Sequence, residues 1–365
     1  MGAAHEGGTN LNIHRTQEII CKGEISSLLF HPENIIPDSL IELSVNSLNS
    51  IQEINVLGDG ESIGRGEDRP REIHRIHVNT RNHVNPIILE PIREPKRVVG
   101  IDVSNAKTGE TENGIIYALR GSIVWKDDDS YRFIRCGPLI FHLQEAPMEP
   151  HLQEEHGKTP ILSRLRNMFE RSLQLNAARS FRDSIILLDG SLTAGTPDNP
   201  SRHLSELLEK SRKNENTIIA ISKSTKLLVN GINISSLIKE ERRPCFIDVD
   251  RYVRQLFPEH PVQLMGQVLV AKLAEEGFPF RVDVDKRAPI PDPKTSLGIL
   301  LGNEILEEGY PETLRLAHIL SKFTESEVIA INSFLTGKYG LKIPLKFDLR
   351  KALFGPFSSG GEAIQ

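Results

Sequence analysis

The order of elements between residues 97 and 222 constrains this chain more than any single residue does. Arg97–Ser104 (RVVGIDVS) is a short β-branched run after Pro95 and reads as a buried strand. Gly114–Trp125 and Tyr131–Leu143 read as the next two strands, with Asp127, Asp128 and Asp129 as the turn between them. Ile161, Leu165, Met168, Phe169, Leu173 and Leu175 then recur near the helical period, which predicts a helix over 160–182. A fully buried strand, Asp183–Asp189, follows, then an amphipathic helix over 201–213 with Ser201 as its candidate N-cap, then a fifth strand, Asn216–Ser222. Three strands joined by tight turns form an antiparallel meander, whereas strand–helix–strand requires a parallel crossover. Together they predict a mixed α/β sheet with helices on its faces.

That order is the one expected of an RNase H-like core. Further strands are expected at Cys245–Val249, Val268–Lys272 and Phe278–Val284, and three helices over 294–306, 311–322 and 325–336. The chain therefore divides into an N-terminal extension over 1–95, a main domain over 96–340 and a tail over 341–365. The extension is poorly legible: its apolar stretches at Ile35–Ile41 and Ile51–Leu57 are interrupted by Pro, Asn and Gly. Its glycine-rich run, Gly58–Gly66, departs from the GxxxxGK[ST] phosphate loop and reads as a turn.

Composition excludes several classes. A chain of 365 residues buries a sizeable core without disulfides or structural metals. Cys21, Cys136 and Cys245 are far apart with no CxxC, which fits a reducing, cytoplasmic compartment. No apolar run approaches the ~18 residues of a membrane helix, and the first residues lack the basic-then-apolar signal-peptide pattern. The net charge of −5 argues, at face value, against a simple nucleic-acid binder. The charge is uneven, however: −4 over residues 1–50, −3 over 101–150 and +3 over 201–300. Residues 65–97 hold eight Arg or Lys against five acids, a pattern shared by a phosphate-contacting arm and a solvated mixed-charge segment.

The strand order gives two acids a chemical meaning. Asp102 ends the first strand and Asp189 the fourth, and those strands can be neighbours. Two carboxylates opening at one sheet end make a hard-oxygen site for Mg²⁺ or Mn²⁺, and a divalent cation offsets the cost of burying them. Glu170, on the intervening helix behind the apolar face of Leu165 and Phe169, is a candidate third ligand. Small residues follow each acid, Ser104 after Asp102 and Gly190-Ser191 after Asp189, and permit close approach of a phosphate backbone. Taken singly, each residue has a plain structural alternative. A strand-end Asp caps helices or forms turns, and Glu170 pairs with Arg166 at i−4.

The blocks GIDVSN (Gly100–Asn105), MFERSLQLNAA (Met168–Ala178), LLDGSL (Leu187–Leu192), ISKST (Ile221–Thr225) and YPETLRLAH (Tyr310–His318) resemble, in order, the motifs of the NurA nuclease family. The resemblance runs from about residue 97 to about 335. It implies that Asp102, Glu170 and Asp189 are metal-binding acids and that His318 is a catalytic histidine and metal ligand. It also implies that Lys223 and Tyr310 contact substrate, and Ser104 and Ser191 of the small-residue turns are candidates to join them. One departure is Val103, where the family has Gly, so the turn after Asp102 is expected to differ.

The implied activity is metal-dependent hydrolysis of DNA phosphodiesters with two Mn²⁺ or Mg²⁺ ions. It is a 5′–3′ exonuclease on single- and double-stranded DNA and an endonuclease on single strands. The implied setting is DNA end resection for double-strand break repair by homologous recombination. The implied partners are a HerA-like hexameric translocase and a second copy of the chain, as a homodimer. The chain has no P-loop, so ATP-driven motion is left to a partner. Leu341–Phe354, with apolar residues alternating, is a candidate docking element or packs on the chain's own core. Two other classes stay open. An actin-like ATPase shares the core, but LLDGSLTAG has one Gly where its phosphate strand needs two or three. A non-catalytic DNA-binding scaffold would not need the full set of acids and histidine.

Overall fold

The computed structural model describes residues 35–52, 85–111, 114–127, 130–144, 160–195, 200–223, 228–229, 232–233, 236, 238–254 and 263–340. Most of the arginine-rich 65–97 stretch, the Gly58–Gly66 run and Leu341–Phe354 lie outside these residues.

The elements in chain order are α1 (Asp38–Gln52), β1 (Ile87–Ile88), β2 (Arg97–Thr111), β3 (Gly114–Asp127), β4 (Ser130–Gln144), α2 (Pro160–Ser180), β5 (Ser184–Asp189), β6 (Thr193–Ala194) and α3 (Ser201–Lys213). They continue with β7 (Thr217–Ser222), β8 (Leu228–Val229), β9 (Ile232–Asn233), β10 (Cys245–Asp248), α4 (Asp250–Arg254), β11 (Gln263–Leu264), β12 (Gly266–Lys272) and β13 (Pro279–Asp285). The last are α5 (Pro293–Asn303), β14 (Leu306–Glu307), β15 (Tyr310–Pro311), α6 (Glu312–Ser321) and α7 (Glu325–Tyr339).

Nine strands form one sheet in the order β1-β10-β12-β13-β7-β5-β2-β3-β4. The meander β2-β3-β4 is antiparallel, and β2, β5 and β7 run parallel through the crossovers of α2 and α3. The stretch β4-β3-β2-β5-β7 is the expected RNase H-like core. Beyond it, β13, β12, β10 and β1 extend the sheet by antiparallel pairing rather than forming a separate layer.

Both faces are covered, which is why the central strands are apolar almost without alternation. Val99, Ile101 and Val103 of β2 pack with Leu165, Phe169, Leu173 and Ala177 of α2 and Leu204, Leu207 and Leu208 of α3. On the opposite face Val98, Leu187, Ile219, Ile221 and Val282 pack with Leu297 and Leu300 of α5 and Leu314 of α6. Among the described residues no helix is long and apolar enough to cross a membrane.

Three local expectations are corrected. The N-cap of α3 is Pro200, not Ser201, and makes no side-chain cap bond. Asp102 lies within β2, which continues to Thr111, so it does not end its strand and no turn follows it. Val103, where a differing turn was expected, is instead fully buried strand, and its side chain belongs to the α2 core. The illegible extension also contributes α1 to the fold. Leu40 joins the core, and Ser44 donates to the Ile140 carbonyl of β4 at 2.5 Å.

Candidate active site

The end of β5 creates the site. The parallel register pairs Ile101 with Leu188, so Asp102 and Asp189 take the next matched position on the same face of adjacent strands. One strand further out, Asp189 is matched to Ile221, and Lys223 follows two residues later on that face. After Asp189 the chain turns at Gly190, whose φ of 129° favours glycine and where an added Cβ would meet nothing within 4 Å. Gly190 is held by its N–H on the Ile221 carbonyl and by the Ser222 hydroxyl on its own carbonyl, at 2.9 and 2.6 Å. Ser191 follows in the same turn, half-buried.

Helix α6 closes the site over β2. Gly100 permits this approach: a Cβ there would stand 2.7 Å from the Thr313 backbone. His318 and Ser321, one turn apart on α6, therefore reach the same carboxylate. His318 Nδ1 and the Ser321 hydroxyl both donate to Asp102 Oδ2 at 2.9 Å. The carboxylate fixes the tautomer of a neutral His318 and leaves Nε2 with its lone pair. Ser104 joins the chain through its hydroxyl, 2.7 Å from Ser321 Oγ. Ser321 was missed by the sequence reading, although its i+3 spacing from His318 places both on one helix face.

Arg120, beside these residues on β3, secures the corner between α6 and α7. Its guanidinium donates to the Lys322 carbonyl at 3.0 Å, pairs with Glu327 at 2.9 Å and lies 4.1 Å from the Phe323 ring centroid. Burial alone would raise the Glu327 carboxyl, but bonds from Arg120, the Thr324 backbone and Arg135 carry it down to about 2.

Glu170 approaches from α2. Burial pushes its carboxyl up to about 7; Arg166 and Arg171 oppose the rise, and the negative charges of Asp102 and Asp189 add to it. Gln174 Nε2 donates to its Oε1 at 3.0 Å. The three acids thus lie within electrostatic reach of one another. Lys223 bonds Asp189 Oδ2 at 2.8 Å, and its ammonium lies 5.2 Å from the Tyr310 ring centroid. The Tyr310 hydroxyl is buried without a hydrogen-bond partner among the described residues. Burial first, then the charges of Asp189 and Asp102, raise its pKa. Exposure grades across the group: the Asp102 side chain is 3% exposed, Asp189 23%, His318 36% and Lys223 44%. The site is walled on the β2 side and open toward β7.

All eight expected site residues lie along this sheet end or the elements beside it. Among the described residues, no three His, Cys, Asp or Glu side chains close tightly enough to hold a metal ion as they stand. The donor chemistry nevertheless fits a divalent cation. Three carboxylates repel one another, and Lys223 supplies a counter-charge at Asp189. A second residue missed from sequence is Asp283 of β13. It is buried, accepts from the Leu192 backbone N–H at 2.9 Å and is held by two Arg281 bonds of 2.8 Å, so it anchors the loop after Asp189.

No family model matches this chain, and no curated protein does. Among solved structures it is similar to the NurA nuclease from Sulfolobus solfataricus, with a TM-score of 0.49 and 17% identity over 71% of this chain and 88% of that one. It is also similar to the catalytic domain of human endonuclease V, with a TM-score of 0.33 and 14% identity over 82% and 99% of the two chains. A third similarity is to Kluyveromyces polysporus Argonaute with a guide RNA, at 0.28 and 11%, covering 62% of this chain and 26% of that one.

Proposed function

We propose that this chain is a metal-dependent nuclease that hydrolyses phosphodiester bonds in DNA. The observation that supports the reading is that Asp102 and Asp189 follow matched positions of adjacent strands, with Glu170 within their electrostatic reach and His318 bonded to Asp102. Asp102, Glu170 and Asp189 are the residues that would hold one or two divalent cations. Such a cation, bound there, supplies Lewis-acid polarisation of the phosphate and a more acidic water.

The chain's own groups account for the rest. His318 Nε2 is the nitrogen left free to take or deliver a proton, or to serve as a ligand, because Nδ1 is engaged. Lys223 holds a phosphate oxygen once released from Asp189. Tyr310, its ring beside the Lys223 ammonium, helps to place that lysine, and Gly190 leaves room for the backbone to approach. Ser104 supports Asp102 through Ser321 rather than reaching substrate itself. The finer assignment is 5′–3′ exonuclease and single-strand endonuclease activity in end resection, by a homodimer served by a HerA-like translocase. It is supported by the ordered sequence blocks.

The test is incubation of the chain with 5′-labelled single- and double-stranded DNA in Mn²⁺, Mg²⁺ or EDTA, beside Asp102→Ala, Asp189→Ala and His318→Ala. Cleavage is expected with metal and not with EDTA. The aspartate variants should lose more than the roughly 10–100-fold that an outer-shell partner contributes. His318→Ala should lose roughly 10²–10⁴-fold. A wild type inert with both metals, or aspartate variants that cut equally well, would sink the reading.

A further inference from the structure

We infer that Arg166 holds a second phosphate of the substrate strand, apart from the one held by Lys223. This rests on the nuclease reading and adds to it a residue that sets how the strand lies. Because β5 stops at Asp189, β2 has no parallel neighbour beyond Ile101. At that place the carbonyl of Val103, next to Asp102, accepts from Arg166 Nε at 2.9 Å. The bond anchors the guanidinium through one edge. Its two Nη groups make no hydrogen bond or ion pair among the described residues, and the side chain is exposed.

Arg166 lies one helical turn before Glu170, and its positive charge opposes the rise in that carboxyl. Across the sheet end Lys223 follows β7, Asp189 ends β5 and Asp102 lies in β2, while Arg166 reaches the Val103 carbonyl from α2. Two cations therefore stand beside the two carboxylates, and an added Cβ at Gly190 would meet nothing within 4 Å. A strand crossing these carboxylates sets one phosphate on Lys223 and another on Arg166. An arginine anchored through Nε presents its Nη pair as a fork that matches two phosphate oxygens, which a lysine point charge does not. Capping the Val103 carbonyl alone would need a donor but not this free fork.

The experiment measures binding of a fluorescent single-stranded oligonucleotide to the full chain in Ca²⁺ across a salt titration, with kcat and KM in Mn²⁺ beside it. Arg166→Gln should bind about tenfold more weakly and reduce the slope of log K against log salt by about 0.7, the share of one single-strand phosphate. Arg166→Lys loses the same Val103 bond but keeps the charge. It should restore the salt slope while KM stays raised, which separates phosphate contact from capping. Arg179→Gln, exposed near the far end of the same helix and 3.6 Å from Glu206, should behave as wild type. If Arg166→Gln keeps the wild-type affinity and slope while wild type cuts DNA, Arg166 only caps β2 and this inference falls alone. If wild type neither binds nor cuts, the nuclease reading falls and takes the inference with it.

Discussion

Glu170 shows how one residue can serve a site at the expense of the fold. Its carboxyl, ordinarily near 4.5, stands at about 7 because it is buried and faces Asp102 and Asp189, despite Arg166 and Arg171. Between those values the folded chain holds a proton that the unfolded chain has released. The stabilising contribution is therefore complete below about 4.5 and is lost as pH rises through about 7. Glu170→Gln removes the charge without changing the shape. Without metal at pH 8 it should be more stable than wild type by about 1–3 kcal/mol, seen as a Tm higher by several degrees. At pH 5 the gain should shrink to about a quarter of that. The same variant should lose nuclease activity. Equal melting at pH 8, or a gap that does not depend on pH, would show that the fold does not hold the Glu170 carboxyl above its ordinary range.

Helix α6 is the element on which the site depends most, and it is held by contacts invisible in its own sequence. Gly100 gives it room, Ser122 donates to its Ala317 carbonyl at 2.6 Å, and Arg120 fixes its C-terminal corner. Gly100→Ala would place a Cβ 2.7 Å from the Thr313 backbone, so the helix must lift. The expected cost is about 1–3 kcal/mol in stability, with a fall in kcat as His318 leaves Asp102. Chemical denaturation and steady-state kinetics check both; a variant with wild-type kcat would mean that α6 tolerates the shift. The strands of the core were legible because a run such as Ile185–Leu188 is apolar throughout and bounded by polar and turn residues. The full length of β2 was not, because Asn105–Thr111 is polar and is carried as strand by its pairing with β3. Helix α1, rich in Ser and Asn, has weak intrinsic propensity and is sustained by packing on β4. The acids could be named from their places in the expected order, and His318 from the resemblance carried by YPETLRLAH. Their partners could not, since Asp102 and Ser321 lie 219 positions apart and meet only through the fold.

At the scale of the whole molecule, the net charge of −5 describes the surface average and not the site. The acidic site gathers three carboxylates against Lys223 and Arg166, so it repels a polyanion until cations neutralise it. The nine-stranded sheet keeps those carboxylates in place whether or not they are neutralised, because Asp102 and Asp189 are set by the register of two parallel strands. Binding of DNA should therefore depend on a divalent cation even where no bond is cut. Ca²⁺ accepts oxygen ligands in loose geometry and serves as the probe. Affinity for a single-stranded oligonucleotide, read by fluorescence anisotropy at fixed ionic strength, should rise on replacing EDTA with Ca²⁺. Asp102→Asn with Asp189→Asn should bind in EDTA at least as tightly as wild type, because two repelling charges are gone, and should gain little from Ca²⁺. Equal wild-type affinity in EDTA and Ca²⁺ would mean that the substrate strand does not cross the acidic row.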